Sequence, residues 1–170
     1  MSPACEACRE GVGSATFFIS LRCHRHCYYC FNPNQEHYEK FRKSKRDLAN
    51  ELKQIRQSGM NAHHIALTGG EPLLHKQEAF DFFQLSKQLF PEAHTRLYTA
   101  GDFIDKETLE QLAASGLDEI RFSIRTEDSE QDLQANLERI ALSKTYLDSV
   151  MVEMPVPPGS YPMMTVLSIP

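Results

Sequence analysis

Five cysteines, Cys5, Cys8, Cys23, Cys27 and Cys30, fall within the first 30 residues of this 170-residue chain, and none follows. An odd number in so short a stretch is a poor disulfide framework, whereas closely spaced thiolates are good soft ligands. The run Cys23-His-Arg-His-Cys27-Tyr-Tyr-Cys30 carries the sharpest signal. Three thiolates on one loop can hold a small cluster or metal and leave a coordination position open, as a reactive centre requires. The spacing differs from the C-x2-C-x2-C-x3-C run of bacterial ferredoxins, which provides a full ligand set. A second pattern competes, because Cys5-x2-Cys8 and Cys27-x2-Cys30 lie at a structural zinc spacing. Zinc would close the site and supply no chemistry. It would also leave Cys23 unused and put a predicted strand inside the zinc loop.

These thiols need a scaffold, and hydrophobic periodicity indicates one. Residues 16–21 (TFFISL) read as a strand, so the three-cysteine run follows directly after it. Residues 45–58 carry Leu48, Leu52 and Ile55 at helical spacing and stop at Gly59. A strand over 63–67 ends in Thr68-Gly69-Gly70-Glu71-Pro72. There follow a helix over 77–90, a strand over 95–99, a helix over 105–115, a strand over 117–124, a helix over 129–147 and a strand over 150–154. Five strands alternating with four helices predict right-handed βαβ units around a parallel sheet.

The strands alternate in character. Ile120, Phe122 and Ile124 share one face, while Arg121, Ser123 and Arg125 share the other. Likewise Val150, Val152 and Met154 oppose Glu153. A sheet buried on both faces, or a closed barrel with a branched apolar lumen, leaves no such polar face. The pattern predicts an open, curled sheet whose concave side holds a polar ligand at the C-terminal ends of its strands.

Composition narrows the setting. The chain has 18 Lys and Arg against 23 Asp and Glu, a net charge of −5, and no Trp. An acidic balance speaks against nucleic acid as a partner. No apolar run reaches the roughly 18 residues of a membrane span, and charges at Glu6, Arg9 and Glu10 interrupt any signal peptide. A cytoplasmic protein is expected, in keeping with cysteines used as ligands. The basic stretch 40–46 reads as a solvated segment leading into a helix, or as a docking site for an acidic electron donor.

Cys23-x3-Cys27-x2-Cys30 after the first strand, Tyr29 before the third cysteine, and Gly69-Gly70-Glu71-Pro72 after the second strand together resemble the radical S-adenosylmethionine (radical SAM) enzymes. Within that family the likeness is to pyruvate formate-lyase-activating-enzyme-like proteins, which are also short. The resemblance covers residues 16–155 and implies an α/β fold, a partial (β/α) barrel. Cys23, Cys27 and Cys30 would each ligate one iron of a 4Fe–4S cluster, and S-adenosylmethionine would chelate the open iron. Reductive cleavage would then yield a 5′-deoxyadenosyl radical that abstracts hydrogen from substrate. Gly69, Gly70 and Glu71 match the segment receiving the methionyl amino group, and Tyr29 the position against the adenine. Ser123 and Arg125 match contacts to the ribose and the methionyl carboxylate; Thr99 and Glu153 are further candidates on the same rim. The family does not use positions such as His24 and His26. The implied partners are S-adenosylmethionine, a low-potential donor such as flavodoxin or ferredoxin, and a protein or small substrate.

The family barrel has six strands. Here no helix fits between Pro155 and Pro162, so Met163–Ile169 cannot be reached by a normal crossover. The expected organisation is a cysteine-containing extension over 1–15, a five-stranded barrel over 16–155 with the sixth strand missing or replaced, and an irregular tail over 156–170. The alternative to a radical SAM enzyme is a non-catalytic metal-binding protein, either a zinc domain or a relative that holds a cluster without turnover.

Overall fold

The structure is a computed structural model that describes residues 13–125 and 127–155. Five strands, β1 (Ser14–Phe18), β2 (His64–Thr68), β3 (His94–Thr99), β4 (Glu119–Ser123) and β5 (Ser149–Glu153), form one sheet in chain order. Every neighbouring pair is parallel. When sheet order follows chain order, right-handed crossovers lay all the helices on one face. The other, concave face carries no helix among the described residues, as in a piece of barrel wall.

Five α-helices accompany the strands: α1 (Tyr38–Lys43), α2 (Leu48–Gln57), α3 (Lys76–Leu89), α4 (Lys106–Ala114) and α5 (Glu130–Ser143). Four occupy the predicted crossovers, with ends set by local chemistry. Asp47, Asp105 and Ser129 each accept a hydrogen bond from a backbone N–H in the first turn of α2, α4 and α5, which satisfies donors that the helix itself cannot pair. Pro72 opens a 3-10 turn over Pro72–His75, and α3 begins only at Lys76. The long helix expected to reach residue 147 stops at Ser143.

The four-helix expectation requires one correction, because α1 was not foreseen. It is too short to show a period, and its support is tertiary. Phe41 packs edge-on against Phe18 with ring centroids 5.4 Å apart. The Leu21 N–H donates to the Phe41 carbonyl at 2.9 Å, and the Arg46 N–H to that of Ile19 at 2.8 Å. Among the described residues the sheet ends at β5; Cys5, Cys8 and residues 156–170 lie outside them.

The core lies between the sheet and the helices. Ile65, Leu67, Leu97, Ile120 and Phe122 from the strands meet Leu52, Phe83, Leu109 and Leu112 from the helices, all fully buried. Each such side chain contributes about 1.5–3 kcal/mol through removal from water. Phe122→Ala is therefore expected to destabilise the fold by about 3–5 kcal/mol. Urea unfolding should show a lower midpoint with an unchanged slope.

Candidate cofactor site at the mouth of the sheet

The three-cysteine loop is laid against the turn that follows β2. Gly69 takes φ 115°, and a Cβ there would lie 2.6 Å from the Cβ of Phe18. At Gly70 an added Cβ would sit 2.0 Å from the Arg22 carbonyl oxygen. Only glycine lets the two backbones come this close. The approach is secured by hydrogen bonds from the Gly70 N–H to the Ser20 carbonyl (3.2 Å) and from the Glu71 N–H to that of Arg22 (2.8 Å). On the far side of the loop, Asn32 Nδ2 donates to the Gly69 carbonyl at 2.6 Å. The cysteine loop is thereby pinned at both ends.

Glu71 is 1% exposed. Its carboxylate accepts from Leu73 N–H (3.0 Å), Thr99 Oγ1 (2.8 Å) and Ala100 N–H (2.8 Å). Burial raises its pKa, and these three donors pull the other way. The resemblance assigned Glu71 to a ligand ammonium; here its oxygens already tie the β2 turn to the end of β3. Thr99 faces this carboxylate on the helix side of the sheet and is buried, away from the concave face.

Charged residues on three loops hold the middle of the cysteine run. Arg25 donates to Asp102 through Nε and Nη2, both at 2.6 Å, and to Asp128 through Nη1 at 3.3 Å. His24 Nε2 lies 2.5 Å from the same Asp102. Asp128, whose side chain is fully buried, also accepts from Arg125. Arg125 Nη1 in turn lies 3.9 Å from Cys27 Sγ. Asp102 follows β3 and Asp128 follows β4, so both carboxylates reach the loop from the strands' C-terminal ends. Burial raises the Asp102 pKa, but the hydrogen bonds from Arg25 and His24 outweigh it and hold the group below the usual carboxylate range.

Tyr29 is brought to the same place. Its hydroxyl pKa is raised strongly by burial and then by the nearby Cys27 and Glu127, and it meets Tyr28 edge-on at 5.1 Å. Ser123 lies at the open end of β4, opposite Glu153 in register. Glu153 accepts from Arg121 Nη1 at 2.6 Å. Arg121 also donates from Nε to Glu119 at 2.5 Å and lies over the Tyr98 ring at 5.4 Å. The concave face thus carries a partly buried ionic layer that runs from Glu119 at the start of β4 through Arg121 to Glu153 at the end of β5.

Thiolates are soft donors of the kind that hold iron–sulfur clusters. Cys23, Cys27 and Cys30 are free, and they are near enough that Cys27 and Cys30, with Glu71, raise the Cys23 thiol beyond the effect of burial. Yet among the described residues no three His, Cys, Asp or Glu side chains gather closely enough for one metal ion. Beside them Arg125 Nε is buried without a hydrogen-bond partner among the described residues, a donor left over for a ligand carboxylate.

The sequence profile of the Radical SAM superfamily matches residues 17–152. The chain belongs to the radical SAM superfamily. Membership brings with it S-adenosylmethionine and an iron–sulfur cluster as the superfamily's cofactors. A Methanocaldococcus jannaschii protein, provisionally named a glycyl-radical enzyme activating enzyme, is 28% identical over 161 residues, which cover 91% of this chain and 43% of that protein. Among solved structures, Streptococcus suis SuiB bound to S-adenosylmethionine superposes with a TM-score of 0.64 at 21% identity, over 96% of this chain and 39% of SuiB. BtrN in complex with AdoMet and 2-DOIA gives a TM-score of 0.60 at 20% identity, over 82% of this chain and 56% of BtrN. These likenesses establish the radical SAM fold. The chain spans less than half the length of the Methanocaldococcus protein.

Arg25, Asp102 and Asp128 went unnoticed in the sequence, where they are isolated charges without a motif. Only the clustering of charged residues just after strands β3 and β4 hinted at them. Asp128→Asn is expected to cost about 1.5–3 kcal/mol, since it weakens charge-assisted bonds to two guanidinium groups. Asp102→Asn should be most destabilising near neutral pH. Because the Asp102 pKa is depressed on folding, its contribution is complete above the unfolded value and is lost as pH falls through the folded one. Urea unfolding of wild type and variant should therefore converge in acid.

Proposed function

We propose that this chain is the cofactor-binding barrel of a radical SAM enzyme, with Cys23, Cys27 and Cys30 holding a 4Fe–4S cluster. The cluster with S-adenosylmethionine at its open iron would supply reductive cleavage of the sulfonium, giving a 5′-deoxyadenosyl radical that takes a hydrogen atom from substrate. The observation that carries this reading is a loop with three free thiols on which Cys27 Sγ lies 3.9 Å from Arg125 Nη1, while the buried Arg125 Nε has no hydrogen-bond partner among the described residues.

The chain's own residues then divide the work. Asp128 holds Arg125 by one arm of its guanidinium and leaves the Nε free for the methionyl carboxylate. Tyr29, beside Cys27, offers a ring face to the adenine. Gly69 and Gly70 bring the backbone of the β2 turn against the loop, and Glu71 keeps that turn in place. Ser123 and Glu153, at the open ends of β4 and β5, face the ribose side. Thr99 acts through Glu71 and touches no ligand.

The Methanocaldococcus relative is named for activating a glycyl-radical enzyme, which supports a protein substrate here also. The concave face is open along the free edges of β1 and β5 among the described residues, and so could admit a loop of another protein. A low-potential flavodoxin or ferredoxin would deliver the electron.

Anaerobic reconstitution with iron and sulfide is the test, and it should load about four irons per chain. Electron paramagnetic resonance of the reduced protein should shift when S-adenosylmethionine is added, and 5′-deoxyadenosine should form. Cys23→Ala, Cys27→Ala and Cys30→Ala should each abolish the signal. Stoichiometric zinc that depends on Cys5 and Cys8, with no cluster signal, would replace this reading with a structural metal domain.

A further inference from the structure

The charges of this acidic chain are segregated. Residues 20–46 hold seven of the 18 Lys and Arg but only two of the 23 acids, so this segment is net +5 while the rest of the chain is net −10. The fold gathers much of that excess at one edge of the cysteine loop. A cavity of about 450 Å³ is lined by Arg22, Arg42, Lys43 and Lys45 together with Ser20, His75 and Cys23 itself. Arg42, Lys43 and Lys45 reach Glu39 and Glu78, yet their side chains stay 47–73% exposed. Exposed ion pairs of this kind are weak and exchange readily.

Two large apolar side chains stand out on the same loop. Tyr28 is 70% exposed and Phe31 is 71% exposed. Phe31 caps the turn Asn32–Asn34, which packs against α1, the helix that carries Arg42 and Lys43. Neither ring fills the core, and no hydrogen bond of the Tyr28 hydroxyl is seen among the described residues. Exposed aromatic rings beside arginines make up the composition that dominates protein–protein recognition.

We propose that this face, with Arg22, Arg42, Lys43 and Lys45 around the Cys23 edge and Tyr28 and Phe31 beside it, docks an acidic one-electron carrier protein. The inference rests on the radical SAM reading for the reason such a partner is needed: one electron passes across the Cys23 edge, oxidising the carrier by one electron and reducing the bound group by one. No atoms are transferred. A protein with a local acidic patch fits better than a nucleic acid. A long polyanion would extend beyond this small patch onto the rest of a chain that is net −10 outside residues 20–46, whereas a globular partner meets the basic edge and the two rings alone. Docking here also brings the carrier to the exposed cysteine of the three.

The test uses the reconstituted full chain, with reduced flavodoxin, an acidic flavoprotein, as the probe. Bleaching of the cluster absorbance is followed by stopped flow, with dithionite as the small-molecule control. Raising ionic strength from about 0.05 M to about 0.5 M should slow reduction by flavodoxin at least 10-fold. The double variant Arg42→Glu/Lys43→Glu should slow it similarly at low salt, while iron content and the dithionite rate change less than two-fold. Tyr28→Ser/Phe31→Ser should weaken the salt-independent part of binding. Flavodoxin rates indifferent to salt and to charge reversal would overturn the docking face and leave the radical SAM reading intact. Failure to form a cluster would overturn that reading, and the docking face is then judged by fluorescence anisotropy of labelled flavodoxin with the apoprotein, where loss of binding on charge reversal still supports it. Binding of a DNA or RNA duplex as tightly as flavodoxin would show a general polyanion patch and refute a protein-specific surface.

Discussion

The mouth of this sheet depends on one buried carboxylate. Glu71 lies where β2 gives way to the following turn, and its oxygens accept from Leu73, Thr99 and Ala100. Those bonds join two adjacent strand ends across the top of the core. Its own N–H donates to the Arg22 carbonyl, at the base of the cysteine loop. A buried carboxylate without such donors would be severely penalised; with them it is a rigid junction. Gly70 completes it, because any side chain there would collide with the Arg22 backbone.

From this junction outward, electrostatics replaces packing. Hydrophobic side chains cannot organise a loop that must keep three thiols available, so the loop is held by Arg25 and its carboxylates. Arg25 is suited to this task because one planar guanidinium can bridge Asp102 and Asp128 at once. The fully buried Asp128 shares its charge between Arg25 and Arg125, which leaves neither guanidinium opposite the other without an anion. A pair of buried charges is costly to desolvate, but the arrangement fixes geometry more sharply than apolar contact does. The concave side follows the same rule: Glu119, Arg121 and Glu153 form a linked ionic layer there.

The division between scaffold and site also shows how much could be read beforehand. Alternation of Ile120, Phe122 and Ile124 with Arg121, Ser123 and Arg125 was enough to assign a core face and an open face. Helix α4 was legible from Asp105, the leucines at 109 and 112, and Gly116. Helix α1 was not, since six residues hold less than two turns of period and its stability comes from Phe18 and the Leu21 backbone. The resemblance made Thr99 a candidate on the rim, and the parity of β3 puts it with Leu97 on the helix side. A residue's side of the sheet depends on register, and one position decides it.

The order of elements, the parallel topology and the spacing of the three cysteines were determined by the sequence itself. Hydrophobic period, turn residues and thiol spacing act over a few neighbouring positions. That Glu71 would be occupied by its own chain was decided only by tertiary structure. So were the pairing of Arg25 with carboxylates 77 and 103 positions away and the gathering of the basic segment around Cys23. These depend on distances between strand ends, and such distances exist only once the sheet has assembled and curled.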